Sequence, residues 1–333
     1  MPCSVPLREA VMATDHASII EQIADPNVPI SKLRNKVTVD PSRSRPFTPS
    51  VVIDTTKVKP ASAREALAPT GGSVGDAFTR RRQEIYRRKI AAGWKGLRFV
   101  SEGDSWFQYP LVLRDIIDWL SDDYAILDFA AAGDTLANMK RGILNIVDTL
   151  KLEKSHGFLL SGGGNDLLDG GRLKLMLRPY TSDHAGGPLY RTAQDYIIMH
   201  RLDEYLREVI DDYRDFFEVL TTQLPELKIF CHGYDWMLPR SDGIYLWPTM
   251  QEREIQDPLR SPIIKVMVDL FNERLQQLAG NAKYQGNVIY VDCRNTVGNK
   301  AKWFDEIHPR DPGFGRVASR FKTAIDAALK GVA

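Results

Sequence analysis

The chain has 333 residues, of which 43% are hydrophobic and 26% charged, and its formal net charge is +1. This composition is typical of globular proteins and excludes wholesale disorder and a fibrous protein. The apolar runs fall far short of the ~20 residues that span a bilayer, which excludes helical membrane spans, and three widely spaced cysteines exclude a disulfide framework.

The first hundred residues are basic, with almost twice as many Lys and Arg as Asp and Glu, whereas the rest of the chain is acidic. One interpretation is that the basic segment docks on the acidic remainder. The other is that the clusters at residues 80–82 and 87–89 contact an anionic partner. A peripheral membrane surface is a candidate partner, whereas a nucleic acid is disfavoured.

Residues 1–95 are predicted to form a mostly irregular extension, because prolines recur along them up to Pro69 and Gly71-Gly72 follows. One helix is expected over residues 76–92, capped by Ser73 or Asp76 and ended by Gly93. The apolar residues 51–53 are expected either to add an edge strand or to lie across a neighbouring surface.

From residue 97 onward, short apolar strands alternate with amphipathic helices. A cap-like, loop-rich insertion is expected near residues 170–195. The predicted strands are 97–101, 124–130, 157–161, 227–231 and 287–292, and the predicted helices are 110–120, 136–150, 197–222, 263–279 and 314–329. Repeated strand–helix units predict a second domain, residues 96–333, of the α/β class with a parallel sheet covered by helices on both faces.

Four polar motifs follow ends of the predicted strands, where open parallel sheets place their ligands. Taken singly, each has an ordinary interpretation as a turn, a helix N-cap or a solvated loop. The motifs are Ser-Glu-Gly-Asp-Ser-Trp at 101–106, Ala-Gly-Asp-Thr at 132–135, Ser-Gly-Gly-Gly-Asn-Asp at 161–166 and Asp-Glu-Ile-His-Pro at 305–309. Their shared position at one sheet edge favours a common site.

The residue types in these motifs suit acyl transfer. Ser105 lies at a strand-to-helix turn, which presents its hydroxyl. The spacing of Asp305 and His308 lets the carboxylate accept from Nδ1–H and leaves Nε2 as a general base. The amide of Asn165 suits donation to a developing oxyanion. No G-x-S-x-G elbow, G-x-G-x-x-G or P-loop pattern occurs, which argues against the common α/β-hydrolase and nucleotide sites.

In order, Gly103-Asp104-Ser105, Gly133, Gly163-Gly164-Asn165-Asp166 and Asp305-x-x-His308-Pro309 resemble the four sequence blocks of the SGNH, or GDSL, hydrolases. The resemblance spans about residues 97–325. It implies a three-layer α/β/α fold with a five-stranded parallel sheet in the order 2-1-3-4-5. It also implies Ser105 as nucleophile, His308 as base, Asp305 as its orienting partner, and an oxyanion hole of Ser105, Gly133 and Asn165. The resemblance implies no cofactor and no metal.

Aromatic residues near the motifs are candidates for substrate binding, because apolar walls suit an acyl chain. These are Trp106, Phe107, Tyr234, Trp236 and Trp303. The first hypothesis is a serine esterase, or lipase, acting on lipid-like acyl esters. The alternatives are a carbohydrate O-acetylesterase with the same catalytic residues, and a non-catalytic binding protein that uses the basic arm. His232 and Asp235 are expected to form a structural His–Asp turn instead of lining the site.

The first residues lack a basic segment followed by an apolar one, which is the pattern of a secretory signal peptide. The sequence therefore predicts a cytoplasmic protein or one exported by a leaderless route.

Overall fold

The computed structural model describes residues 16–58, 73–169, 171–181 and 192–331. Most of the predicted insertion falls within this range, but its residues 170 and 182–191 and the Gly71-Gly72 pair lie outside the described residues. No helix in the described part of the chain is long and apolar enough to cross a membrane.

The central element is a five-stranded, entirely parallel sheet. Two short strands, β1 and β2, precede it. The seven strands are β1 Val37–Val39, β2 Val51–Ile53, β3 Arg98–Gly103, β4 Ala125–Asp128, β5 Gly157–Ser161, β6 Lys228–His232 and β7 Val288–Val291. The sheet order is β4-β3-β5-β6-β7. Counted from the first strand of this sheet, the order is 2-1-3-4-5, so the predicted fold class and topology are confirmed.

Helices cover both faces of the sheet, as the alternating pattern predicts. Their bounds are α1 His16–Ala24, α2 Val74–Ala91, α3 Ile116–Leu120, α4 Leu136–Arg141, α5 Ile143–Leu152, α6 Gly164–Leu168, α7 Arg172–Met176, α8 Met199–Gln223, α9 Trp247–Glu252, α10 Arg260–Ala279 and α11 Asp311–Ala328. The central strands are buried on both sides: Phe158, Leu159 and Leu160 of β5 have no exposed surface. Near-continuous apolar strands of this kind are typical of parallel sheets.

Two predicted helices are shorter than expected. Residues 110–120 were predicted as one helix, but only Ile116–Leu120 is helical. The chain turns before this helix begins, because Leu111 has a left-handed backbone (φ 63°). The Asp115 carboxylate then caps α3 by accepting from the Asp118 N–H. The helix predicted over residues 136–150 is two helices, because Gly142 ends α4 and begins α5.

The N-terminal residues build a small layer of their own beside the sheet. Strands β1 and β2 pair antiparallel with each other, so residues 51–53 form a separate ribbon and not an edge strand of the main sheet. A second apolar cluster joins this ribbon to α1 and α2, with Ile23, Leu33 and Phe78 at its centre. The Arg81 guanidinium donates to the carbonyls of Asp25 and Val28 just beyond the end of α1.

Arg82 joins this N-terminal layer to the sheet domain. Its buried guanidinium donates to the carboxylates of Asp115 (2.6 Å), Asp118 (2.8 Å) and Asp128 (2.8 Å), and to the Phe107 carbonyl (2.7 Å). Arg81 and Arg82 are therefore buried and are not available to an anionic partner. Residues 80–82 do not form the exposed basic cluster that such a partner would need.

Candidate active site

Ends of three neighbouring strands align at one edge of the sheet. Gly103 of β3 pairs in register with Ser161 of β5, which pairs with His232 of β6. Ser105 follows β3 in a tight turn that Asp104 organises: its carboxylate accepts from the Trp106 N–H at 3.0 Å, and its carbonyl accepts from the Phe107 N–H at 3.0 Å. The serine hydroxyl is thereby held at the carboxyl edge.

The structure brings the three predicted catalytic residues together. Oγ of Ser105 lies 2.7 Å from Nε2 of His308, and Nδ1 of His308 lies 2.8 Å from Oδ2 of Asp305. Asp305 also accepts from the backbone N–H groups of Ile307 (2.8 Å) and His308 (2.7 Å). These bonds orient the carboxylate, which holds the proton on Nδ1 and leaves Nε2 to accept the serine proton.

The predicted oxyanion donors surround the same serine turn. Gly133 follows β4 with a left-handed backbone (φ 92°), and Asn165 lies in the first turn of α6 after Gly163, which is also left-handed (φ 96°). Within the described residues, the N–H groups of Ser105 and Gly133 make no hydrogen bond. Both remain available to a developing negative charge.

The amide of Asn165 is already occupied by the N-terminal layer. Its Nδ2 donates to the Pro46 carbonyl at 3.2 Å and to the Thr48 hydroxyl at 2.9 Å. A Cβ built on Gly133 would lie 2.6 Å from Cγ2 of Thr48, so only glycine admits this approach. Residues 45–48, here called the Phe47 turn, close on themselves through the Thr48 N–H and the Arg45 carbonyl (2.8 Å). The Phe47 turn therefore lies against the oxyanion donors.

Phe47 fills the space beside the catalytic histidine. Its ring centroid lies 4.7 Å from that of Tyr234 and 6.1 Å from that of His308. A Cβ on Gly164 would come within 2.5 Å of the ring. Phe47 itself has a left-handed backbone (φ 55°), a strained conformation for an aromatic residue. The position of Phe47 is not predictable from the sequence, because a single aromatic residue between Pro46 and Pro49 shows no hydrophobic pattern.

A buried hydrogen-bond network supports the turn that carries Ser105. The Tyr234 hydroxyl donates to Asp104 at 2.5 Å and accepts from the Gly164 N–H at 2.9 Å. Nδ1–H of His232 donates to the Gly233 carbonyl at 2.5 Å, and its Nε2 lies 2.9 Å from Oγ of Ser161, which donates to Asp104. Burial lowers the pKa of His232 to about 4, which keeps this ring neutral.

Two buried carboxylates hold the loops around the site. Glu306, between Asp305 and His308, accepts from the backbone N–H groups of Arg240, Tyr245, Leu246 and Trp247. Asp235 accepts from the N–H groups of residue 236 and residues 295–297. Asp235 therefore does not pair with His232, and the expected His–Asp turn is wrong, although both groups are structural. The structural role of Glu306 was not predicted, because an acidic residue in a loop motif is usually expected to face solvent.

Most of the aromatic residues proposed for substrate binding have packing roles. Trp106 and Phe107 have no exposed surface and stack on His232, and Trp303 is 1% exposed. Trp236 lies apart, where its indole N–H donates to Asp269 at 2.8 Å. Trp106, Phe107 and Trp303 are therefore part of the hydrophobic core. Tyr234 is also buried, and it contacts Phe47, which lies beside His308.

Burial raises the pKa of Asp166, which follows Asn165, to about 6. Its Oδ2 accepts from the Leu136 N–H at 3.1 Å at the start of α4. Asp166 thereby joins α6 to the segment that follows Gly133, and so it links the two loops that carry the oxyanion donors.

No family model matches the chain, and the search of curated proteins found no match. Similar solved structures include a lipase from a goat rumen metagenome, with 13% identity, coverage of 69% of this chain and 97% of that chain, and a TM-score of 0.45. Phospholipase A1 from Streptomyces albidoflavus has 12% identity, coverage of 69% and 100%, and a TM-score of 0.44. A family 3 carbohydrate esterase from Clostridium thermocellum has 15% identity, coverage of 72% and 100%, and a TM-score of 0.41.

Proposed function

We propose that the chain is a serine esterase that hydrolyses carboxylic esters through an acyl-serine intermediate. One observation carries this proposal: the continuous hydrogen-bonded line from Ser105 through His308 to Asp305, at 2.7 and 2.8 Å. A serine hydroxyl in contact with a neutral imidazole nitrogen, itself oriented by a carboxylate, is the arrangement that activates a serine for attack on a carbonyl.

The reaction has two steps. In the first, Oγ of Ser105 attacks the ester carbonyl carbon, Nε2 of His308 takes the hydroxyl proton and then gives it to the departing alcohol. In the second, His308 takes a proton from water, the resulting hydroxide attacks the acyl-serine, and the acid is released as Ser105 regains its proton. In both steps the N–H groups of Ser105 and Gly133 and the amide of Asn165 would donate to the oxyanion.

For the substrate class we propose esters with an apolar, lipid-like acyl group. The site adjoins a small apolar cavity of about 30 Å³, lined by Gly164, Tyr234 and a set of hydrophobic residues mainly from α6, α8 and α10. These include Leu167, Leu168, Leu202, Met267 and Phe271. Such a lining offers few polar partners to a sugar and favours hydrocarbon. A carbohydrate O-acetylesterase remains the alternative, with the same catalytic residues and an acyl group limited to acetyl.

Hydrolysis of p-nitrophenyl acetate, butyrate and octanoate tests the proposal. Activity should disappear in Ser105→Ala and His308→Gln. It should persist in His156→Gln, a matched control, because His156 immediately precedes β5 at the opposite edge of the sheet. A steep fall in kcat/KM beyond acetate or butyrate would favour the acetylesterase. Equal activity in the wild type and Ser105→Ala would show that the serine mechanism is wrong.

A further inference from the structure

We propose that the Phe47 turn is a built-in occupant of the acyl-binding site, and that Phe47 withdraws when an ester binds. This inference rests on the proposed esterase function. The structure would then be the closed state of the enzyme, in which residues 45–48 hold the positions that substrate takes.

The polar half of the turn lies where an ester carbonyl would lie. The Pro46 carbonyl oxygen is 3.2 Å from Nδ2 of Asn165, the side-chain donor of the oxyanion hole. Thr48 covers Gly133, which carries the second backbone donor. An ester cannot use the Asn165 donor while the turn is present, because its amide already donates to Pro46 and Thr48, and the Thr48 side chain blocks the approach to Gly133.

The apolar half of the turn closes access to the nucleophile. Phe47, Ser105 and His308 all have no exposed surface. A serine that must meet an ester carbon at bonding distance has to be reached from solvent, so some covering group must move. The Phe47 turn touches both Asn165 and His308, whose ring also packs against Tyr109 and Tyr245.

The turn is constructed so that it can move as a unit. Its backbone hydrogen bonds are mostly local: the Arg45 and Thr48 backbones pair with each other, and the Ser50 N–H donates to the Ser44 hydroxyl at 2.9 Å. It is carried at the tip of the β1–β2 ribbon. Two bonds from the Asn165 amide and an ion pair from the exposed Arg45 to Asp169 at 3.9 Å hold it against the sheet domain, and such ion pairs contribute little stability.

The position of the Phe47 ring also indicates the size of the acyl group. The ring contacts Gly164 and Tyr234, and these two residues line the adjoining apolar cavity. When Phe47 withdraws, the space of its ring joins that cavity. That cavity holds only about 30 Å³, so most of the room for an acyl chain would come from the space that the Phe47 ring vacates. Phe47 would therefore compete most strongly with medium and long acyl chains.

The test compares full-length wild type, Phe47→Ala and Arg45→Ala, with Arg43→Ala as a control for removal of an exposed arginine from the same loop. Two quantities are measured: kcat/KM for p-nitrophenyl acetate and octanoate, and the rate at which an alkyl fluorophosphonate labels Ser105, followed by mass spectrometry. Phe47→Ala should raise both octanoate kcat/KM and labelling by roughly tenfold or more, with a smaller gain on acetate. Arg45→Ala should raise them a few fold, and Arg43→Ala should leave them unchanged.

The outcomes separate this proposal from the esterase proposal. If the wild type hydrolyses octanoate and Phe47→Ala is slower or unchanged, Phe47 is a fixed wall of the pocket and the occupant proposal is wrong, while the esterase stands. If no variant is labelled at Ser105 or hydrolyses either ester, the esterase proposal fails and the occupant proposal fails with it. If Phe47→Ala does not fold, Arg45→Ala decides, because that side chain is two-thirds exposed.

Discussion

Oγ of Ser105 and Nε2 of His308 lie 2.7 Å apart, although 203 residues separate them in the chain. The contact forms because β3 ends at the carboxyl edge of the sheet and the loop after β7 returns to that edge. All parallel strands present their carboxyl ends on one side, so a nucleophile and its base can come from opposite ends of a domain. The fold thus brings together the proposed nucleophile and base, which no local segment contains.

Replacement of Asn165 by alanine should lower the rate of acylation. The amide is the one side-chain donor of the proposed oxyanion hole, and loss of one such donor typically costs about 10²–10³ in kcat. Single-turnover acylation by p-nitrophenyl octanoate measures the effect directly. Asn138→Ala, an exposed asparagine on α4, is the control. Unchanged acylation in Asn165→Ala would remove this residue from the oxyanion hole.

Loss of Arg82 should destabilise the fold strongly. Its guanidinium is the partner of three carboxylates, two of which, Asp115 and Asp128, are fully buried. Removing one member of a buried ionic cluster leaves uncompensated charge and costs about 3–5 kcal/mol. We expect this loss in the free energy of unfolding of Arg82→Ala by denaturant titration. Arg80→Ala, an exposed neighbour on α2, should change it by less than about 0.5 kcal/mol.

Protonation of His232 should lower stability as the pH falls from about 6.5 towards 4, against an opposite contribution from Asp166, whose pKa is raised to about 6. Burial lowers the pKa of this imidazole to about 4, so the unfolded chain takes up the proton first. The stabilisation is complete above the unfolded pKa and is lost as the pH falls through this window, by up to about 3 kcal/mol.

His232→Gln should remove the His232 contribution, because glutamine does not titrate, so its unfolding free energy should rise relative to that of the wild type as the pH falls. Unfolding free energies at pH 7.5, 6, 5 and 4.5 measure the slopes, and His200→Gln, an exposed histidine on α8, serves as control. Parallel slopes for His232→Gln and the wild type would contradict the assignment.

Glu306→Gln should loosen the loop beside the triad. The carboxylate accepts from four backbone N–H groups, of which the shortest bond is 2.7 Å to Tyr245. A glutamine places an NH₂ group against some of these donors, which leaves buried N–H groups unpaired at about 1–3 kcal/mol each. We expect a lower midpoint of denaturant unfolding, whereas Glu226→Gln, an exposed carboxylate before β6, should leave the midpoint unchanged.

The α/β class and the expected position of a site at the carboxyl ends of the strands can be predicted from the sequence alone. Both depend on local patterns: apolar strands that are buried on both faces, and polar turns directly after them. The tertiary structure decided the roles of residues whose partners are distant in the chain. Trp106 and Phe107 face the core, Arg82 turns inward to three carboxylates, and Glu306 holds a loop some sixty residues away. Phe47 is the residue whose position the sequence predicts least. It lies beside His308 because the N-terminal layer docks there, and no hydrophobic periodicity near Pro46 indicates that docking. Docking is set by complementary surfaces formed only after both parts have folded.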